Sequence, residues 1–206
     1  MRIIRSMVDD EFRHLPEDLP VPENDGACDH LRGLFMPHVR LQSTGGGHVD
    51  VGDTSLGRSV FFFYPRTGIP GVPLPEGWDS IPGARGCTAE SCGYRDSYDD
   101  FRLLGWSVFG VSSQTAEEQR EFAAREHIQF ALLSDHKLEL ADALRLPTFH
   151  VEGVRQRLIR RLTLVVVEGK IDRFFYPIFP PDRNAHDVLE ALRSGRQAPG
   201  RSIERK

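Results

Sequence analysis

The 206-residue sequence predicts an α/β sandwich, a central mixed sheet flanked by helices. Three observations predict it. Arg58 to Tyr64 and Trp106 to Val111 are continuous apolar runs, the pattern of strands buried on both faces. Amphipathic stretches of helical length alternate with the strands. Glu168-Gly169 separates two late apolar runs and marks an antiparallel hairpin. The order β–α–β–α–β–α–β–β–α therefore puts parallel strands first and closes the sheet with a hairpin.

Taken in order, residues 1–27 are rich in Pro, Asp and Glu, lack periodicity, and read as an extended arm. Met36 to Leu41 and His48 to Val51 alternate around Gly45-Gly46-Gly47, which predicts a small hairpin. The glycine triplet reads as a turn, because no Lys-Ser/Thr follows to make a phosphate loop. After the Arg58–Tyr64 strand comes an irregular segment from Pro65 to Gly86 containing Pro65, Pro70, Pro73, Pro75 and Pro82. A loop of that length inside a domain usually has a function; its Trp78 reads as a packing anchor.

Cys87 to Leu104 fits one helix. Ser113 or Thr115 caps a second, Ala116 to His127, with Glu117 and Glu118 in its first turn. Gln129 to Leu133 is a strand, and Lys137 to Leu144 a short helix ended by Pro147. Arg161 to Val167 and Lys170 to Tyr176 form the hairpin, Pro180-Pro181 shape a loop, and Asn184 to Arg193 is the last helix. The domain spans 28–194, and 195–206 is a basic tail.

The formal charge of −4 and the ordinary share of charged residues (27%) give no reason to expect a nucleic acid or an anionic membrane as partner. No apolar run approaches the ~18 residues of a membrane span. The N-terminus turns acidic where a signal peptide carries its apolar core, so the expected compartment is the cytoplasm. Three cysteines make no disulfide framework. With no C-x₂-C and no H-x₃-H, no metal is expected.

The chemistry concentrates in Gly86-Cys87-Thr88-Ala89-Glu90-Ser91-Cys92. Cys87 opens a helix just beyond the carboxyl end of a central strand, where α/β sheets bind ligands. Backbone N–H groups and the helix dipole there are expected to lower a thiol's pKa from ~8.5. On an intact helix, five residues correspond to ~140° of rotation and a rise of ~7.5 Å. That separation exceeds the ~4.4–6.8 Å between Cα atoms that a disulfide tolerates. A Cys87–Cys92 bond therefore requires the first turns to unwind. Cys28 reads as a structural cysteine.

With FFFYP, GCTAESCGYRD, VFGVSSQTAEEQREFAAREHIQFALLSD and RRLTLVVVEGKI, the chain resembles the peroxiredoxins of the AhpC/TSA superfamily, nearest the bacterioferritin-comigratory or Q-type group. The resemblance implies a thioredoxin-like fold and a thiol peroxidase. Cys87 would attack hydrogen peroxide or an organic hydroperoxide and become a sulfenic acid. Cys92 would resolve it, and thioredoxin or a similar dithiol would reduce the disulfide, without metal or organic cofactor. Arg161, in R-x-T, matches the family's active-site arginine, with Arg160 the competing candidate. Glu90 matches the acidic residue that holds the arginine.

The family's P-x-x-x-T/S-x-x-C element is absent. Ala84 stands three before Cys87 and Ser80 seven before, and 21 residues separate Pro65 from Cys87, so the loop carries an insertion. Thr67, Ser80 or Thr88 would supply the missing hydroxyl, with Thr67 favoured, and Arg85 would add positive charge. Two rivals are a thiol–disulfide oxidoreductase, which the missing C-x-x-C disfavours, and a non-enzymatic redox-sensing module. Monomer and homodimer both remain open.

Overall fold

The computed structural model describes residues 12–195. The first eleven residues of the arm and the tail from 196 onward lie outside the described residues. The strands are β1 (Arg40–Ser43), β2 (His48–Asp50), β3 (Arg58–Phe63), β4 (Ser107–Ser112), β5 (Ala131–Ser134), β6 (Thr148–Val151), β7 (Val154–Ile159), β8 (Leu162–Val167) and β9 (Lys170–Phe175). The helices are α1 (Cys87–Asp96), α2 (Tyr98–Leu103), α3 (Ala116–Arg125), α4 (Glu139–Ala143) and α5 (Asn184–Gly195).

Seven strands form one sheet in the order β2-β1-β5-β4-β3-β8-β9. β3, β4 and β5 are parallel, whereas β8 joins β3, and β9 joins β8, antiparallel. Strand alternation sorts the β3 side chains into two layers. Val60, Phe62 and Tyr64 pack with Cys87, Tyr94, Phe101, Phe122 and the apolar stripe of α5. Phe61 and Phe63 pack in the opposite layer with Cys28, Leu31 and the Leu140-Ala141 face of α4.

Phe62 anchors the helix that carries the cysteine pair. Its ring stacks on Tyr94 at 4.2 Å and meets Phe130 edge-on at 5.7 Å, while Tyr94 stacks on Phe101 at 5.6 Å. Such pairs contribute ~0.5–1.5 kcal/mol each beyond burial. Gly110 makes room for this ring: a Cβ there would lie 2.8 Å from Phe62 Cζ and 2.6 Å from Leu132 Cδ2.

Three elements differ from the sequence expectation. The single helix expected over Cys87–Leu104 is broken at Ser97, whose φ of −98° and ψ of 3° leave the helical region. The break lets Tyr94 and Phe101 both reach the core and leaves Leu103 82% exposed. The β6–β7 hairpin, turning at Glu152-Gly153, was missed: its strands are short and its alternation is interrupted by a register shift after Phe149. The Pro65–Gly86 segment contains a 3₁₀ turn, Trp78–Ser80. Trp78 there packs with Ala84, Val151 and Leu158 as a separate small core, joining the inserted loop to the hairpin.

Helix α1 starts from Gly86, whose φ of +101° is left-handed and suits glycine. A Cβ at this position would sit 2.3 Å from Pro181 Cγ and 2.9 Å from Leu15 Cδ2. Gly86→Ala is expected to cost about 1–3 kcal/mol, as overpacking adds to backbone strain. Urea denaturation would read this as a lower midpoint at unchanged slope.

Candidate active site

Helical spacing makes Cys87, Glu90 and Tyr94 neighbours on one face of α1, at i, i+3 and i+7. That face meets the residue just ahead of β8. Arg161 is 3% exposed, and its Nη2 donates to Cys87 Sγ at 3.2 Å. Its Nη1 donates to Glu90 Oε2. Nη2 also reaches the backbone carbonyls of Arg85 at 3.1 Å and Ala84 at 3.4 Å. Arg160 turns the other way, over the Phe149 ring at 5.5 Å. Neighbouring residues in an extended segment point to opposite sides, and it is Arg161 that bonds Cys87 and Glu90.

Glu90 is fully buried and held from behind. Asn184 Nδ2 donates to Glu90 Oε1 at 2.8 Å and to Thr163 Oγ1 at 2.8 Å. Thr163 Oγ1 in turn lies 3.3 Å from the Tyr94 hydroxyl. Sequence reading missed Asn184 and Thr163. The only signal for Thr163 was its place in R-x-T, and Asn184 read as an ordinary helix start.

The thiol pKa departs from the sequence expectation of a simple lowering at a helix terminus. Burial is the largest influence on Cys87 and pushes its pKa up. The Arg161 charge and the Arg66 backbone N–H push it down, and the Glu90 charge pushes it up. Of the groups around the sulfur, Arg161 favours the thiolate most strongly. Burial likewise raises Glu90 to about 7 against the pull of Arg161 and Asn184. One buried cation thus faces two acids, and their titrations are coupled.

The other expected groups are placed differently. The Thr67 hydroxyl donates to Gln114 Oε1 at 3.0 Å, and the Thr67 N–H donates to the same oxygen at 2.9 Å. Thr67 makes no hydrogen bond to Cys87; it ties the loop to the segment after β4. The Arg85 side chain pairs with Asp79 at 3.4 Å and lies over the Phe12 ring at 5.4 Å, so only its carbonyl joins the site. Cys28 is fully buried on the opposite side of the sheet, where burial pushes its thiol up to about 12.

Cys92 sits on another face of α1. It is 8% exposed, and its Sγ donates to Glu126 Oε2 at 3.6 Å. All three cysteines are free thiols. Arg161 also borders an open cleft of about 340 Å³, lined by Pro82, Gly83, Tyr176 and Pro177 among others. No described helix is long and apolar enough to cross a membrane.

Removing the anion that competes for Arg161 is expected to favour the thiolate. Glu90→Gln lowers the apparent pKa of Cys87, read as an earlier rise in ultraviolet thiolate absorbance during a pH titration. A later rise would mean that Glu90 matters more by aiming the guanidinium than by opposing the thiolate.

The model of the redoxin family matches residues 32–192. Peroxiredoxin Bcp of Escherichia coli K12 is 27% identical over 164 residues, which cover 76% of this chain and 91% of that protein. Peroxiredoxin bcp1 of Schizosaccharomyces pombe is 28% identical over 148 residues, 68% of each chain. The crystal structure of peroxidoxin BcpB from Mycobacterium tuberculosis superposes with a TM-score of 0.61 at 25% identity, covering 79% of this chain and 96% of that one. The sheet order, the helix-borne thiol and this family match agree: the chain belongs to the redoxin family, where its relatives are peroxiredoxins of the bacterioferritin-comigratory, or Q, group.

Proposed function

We propose that this chain is a thiol-dependent peroxidase in which Cys87 attacks the peroxide and Cys92 resolves the product. One observation carries the reading: a buried thiol at a helix start, 3.2 Å from an enclosed guanidinium that a buried carboxylate holds in place. The relatives named peroxiredoxin Bcp point to the same activity.

The Cys87 thiolate attacks one peroxide oxygen. The S–O bond forms as the O–O bond breaks, so sulfur loses two electrons and the peroxide gains them. The departing hydroxide or alkoxide takes a proton and leaves as water or alcohol, and Cys87 becomes a sulfenic acid. Arg161 stabilises the thiolate and the negative charge growing on the leaving oxygen. Arg161 borders the cleft, through which a small hydroperoxide approaches. Glu90, Asn184 and Thr163 keep the guanidinium from rotating away. Thr67 serves here by fixing the loop that delivers the Arg66 N–H to the sulfur.

Cys92 then condenses with the sulfenic acid. The new S–S bond replaces the S–OH bond, and the Cys92 proton leaves with the hydroxyl as water. Because the two cysteines lie on different faces of α1, its first turns unwind at this step. A thioredoxin-like dithiol restores both thiols by exchange. Such a cycle suits a reducing cytoplasm.

Cys87→Ser is expected to abolish peroxide consumption by the reduced protein, and retained consumption would refute the assignment. Mass mapping after one equivalent of peroxide should find an 87–92 link in the wild type and a trapped Cys87 sulfenic acid in Cys92→Ser. A 28–87 link would reassign the resolver.

A further inference from the structure

Glu126 follows α3 and is a fully enclosed carboxylate on the side of α1 away from Arg161. Arg13 grips its Oε2 with Nε at 3.1 Å and Nη2 at 2.9 Å. Arg125 donates to Oε1 at 2.9 Å. Arg95 lies 3.9 Å from Oε2 and donates to the Glu126 backbone carbonyl at 2.8 Å. The same Oε2 accepts the Cys92 thiol. Two further anions face outward on these arginines, Asp96 on Arg95 and Glu121 on Arg125. Arg125 also reaches the Gly68 carbonyl at 3.0 Å, which ties the cluster to the loop beside Cys87.

Three cations from three segments therefore converge on one carboxylate, and a thiol completes its coordination. Removing one member of such a buried set is costly, because its partners stay enclosed without compensation. Arg95, three residues after Cys92 on α1, binds the carbonyl end of α3, where a cation is favoured.

We propose that Glu126 is a positioning residue that latches the resolving cysteine, holding Cys92 as a thiol against the end of α3 and away from Cys87 until α1 unwinds. This rests on Cys92 being the resolver. Condensation of Cys87–S–OH with H–S–Cys92 to the disulfide and water cannot begin while the sulfur stays on Oε2. Release from Glu126 thus limits the rate of disulfide formation. The thiol's state fits the latch: burial raises Cys92 to about 11, with the Glu126 charge adding to the rise.

The test compares wild type with Glu126→Gln, which keeps the shape and removes the charge. In a Cys87→Ser background, Cys92 should react with a neutral alkylating reagent at pH 7 about tenfold faster, the scale of one lost charge-assisted hydrogen bond. The midpoint of the alkylation pH profile should fall below that of the wild type, because the Glu126 charge that raises the thiol is gone while Arg95 and Arg13 still favour the thiolate. With Cys87 present, quenched-flow mapping should show faster 87–92 disulfide formation. Arg125→Gln, which releases Oε1 of Glu126 and leaves in place the cations that favour the Cys92 thiolate, should accelerate alkylation in the same direction and keeps the idea testable if Glu126→Gln does not fold.

Unchanged or slower alkylation in the folded variants would overturn the latch. So would faster alkylation with a midpoint unchanged from the wild type, which indicates loosened packing alone. The alkylation arm uses no peroxide. A wild type that forms no 87–92 link would sink the resolver assignment, while the alkylation rates would still decide whether Glu126 holds Cys92.

Discussion

The site depends on one buried cation. A guanidinium taken out of water is tolerated only beside anions and hydrogen-bond acceptors, and Arg161 has both. Glu90 supplies the anion, and two loop carbonyls accept from Nη2. The remaining partner is the Cys87 sulfur. Because Glu90 and Cys87 are one turn apart on α1, the helix must roll so that both face β8. The Phe62–Tyr94 stack and the Asn184–Thr163 pair fix that roll from the sheet side. Packing, polar network and thiol chemistry are therefore a single constraint.

The two ends of the same helix are held differently. Its second half is held by Tyr94 in the aromatic stack and by Arg95 on the end of α3. Its first turn starts at Gly86, which gives no side-chain cap. Helix α3 shows the contrast, with Thr115 and Glu118 forming a full capping box. A side-chain cap contributes ~1 kcal/mol, and the turn that carries Cys87 does without it. The left-handed glycine also lets Pro181 and Leu15 close over the helix start.

The central strands, the late hairpin and the cysteine pair were legible in the sequence because each leaves a local signal. Apolar runs mark β3 and β4, Glu168-Gly169 marks the hairpin turn, and polar flanks mark the cysteines as more than core residues. The partners that complete the site were not legible. Asn184 meets Glu90 across 94 residues, and Arg13 meets Glu126 across 113. A buried polar contact between distant segments has no period or spacing to read. Glu126, at a helix end, looks like any solvated charge until the fold encloses it. Ser97 is similar: a serine in a helical pattern is common, and only the need to bury both Tyr94 and Phe101 turns it into a break.

The inserted loop explains how the site manages with Ala84 three residues ahead of the thiol. No hydroxyl is present at that position, yet the backbone there is firmly placed. Trp78, Val151 and Leu158 close around Ala84, so its carbonyl and that of Arg85 hold fixed positions against Arg161 Nη2. Those carbonyls occupy the loop side of the guanidinium, and Glu90 occupies the helix side. Nε has no partner among the described residues. A guanidinium held on two sides keeps a fixed plane, and Arg161 borders the cleft. An oxygen that gains negative charge is best stabilised by a donor already in place, because nothing must then reorganise as the charge appears. The inserted loop thus gives the buried cation a rigid frame in place of a hydroxyl ahead of the thiol.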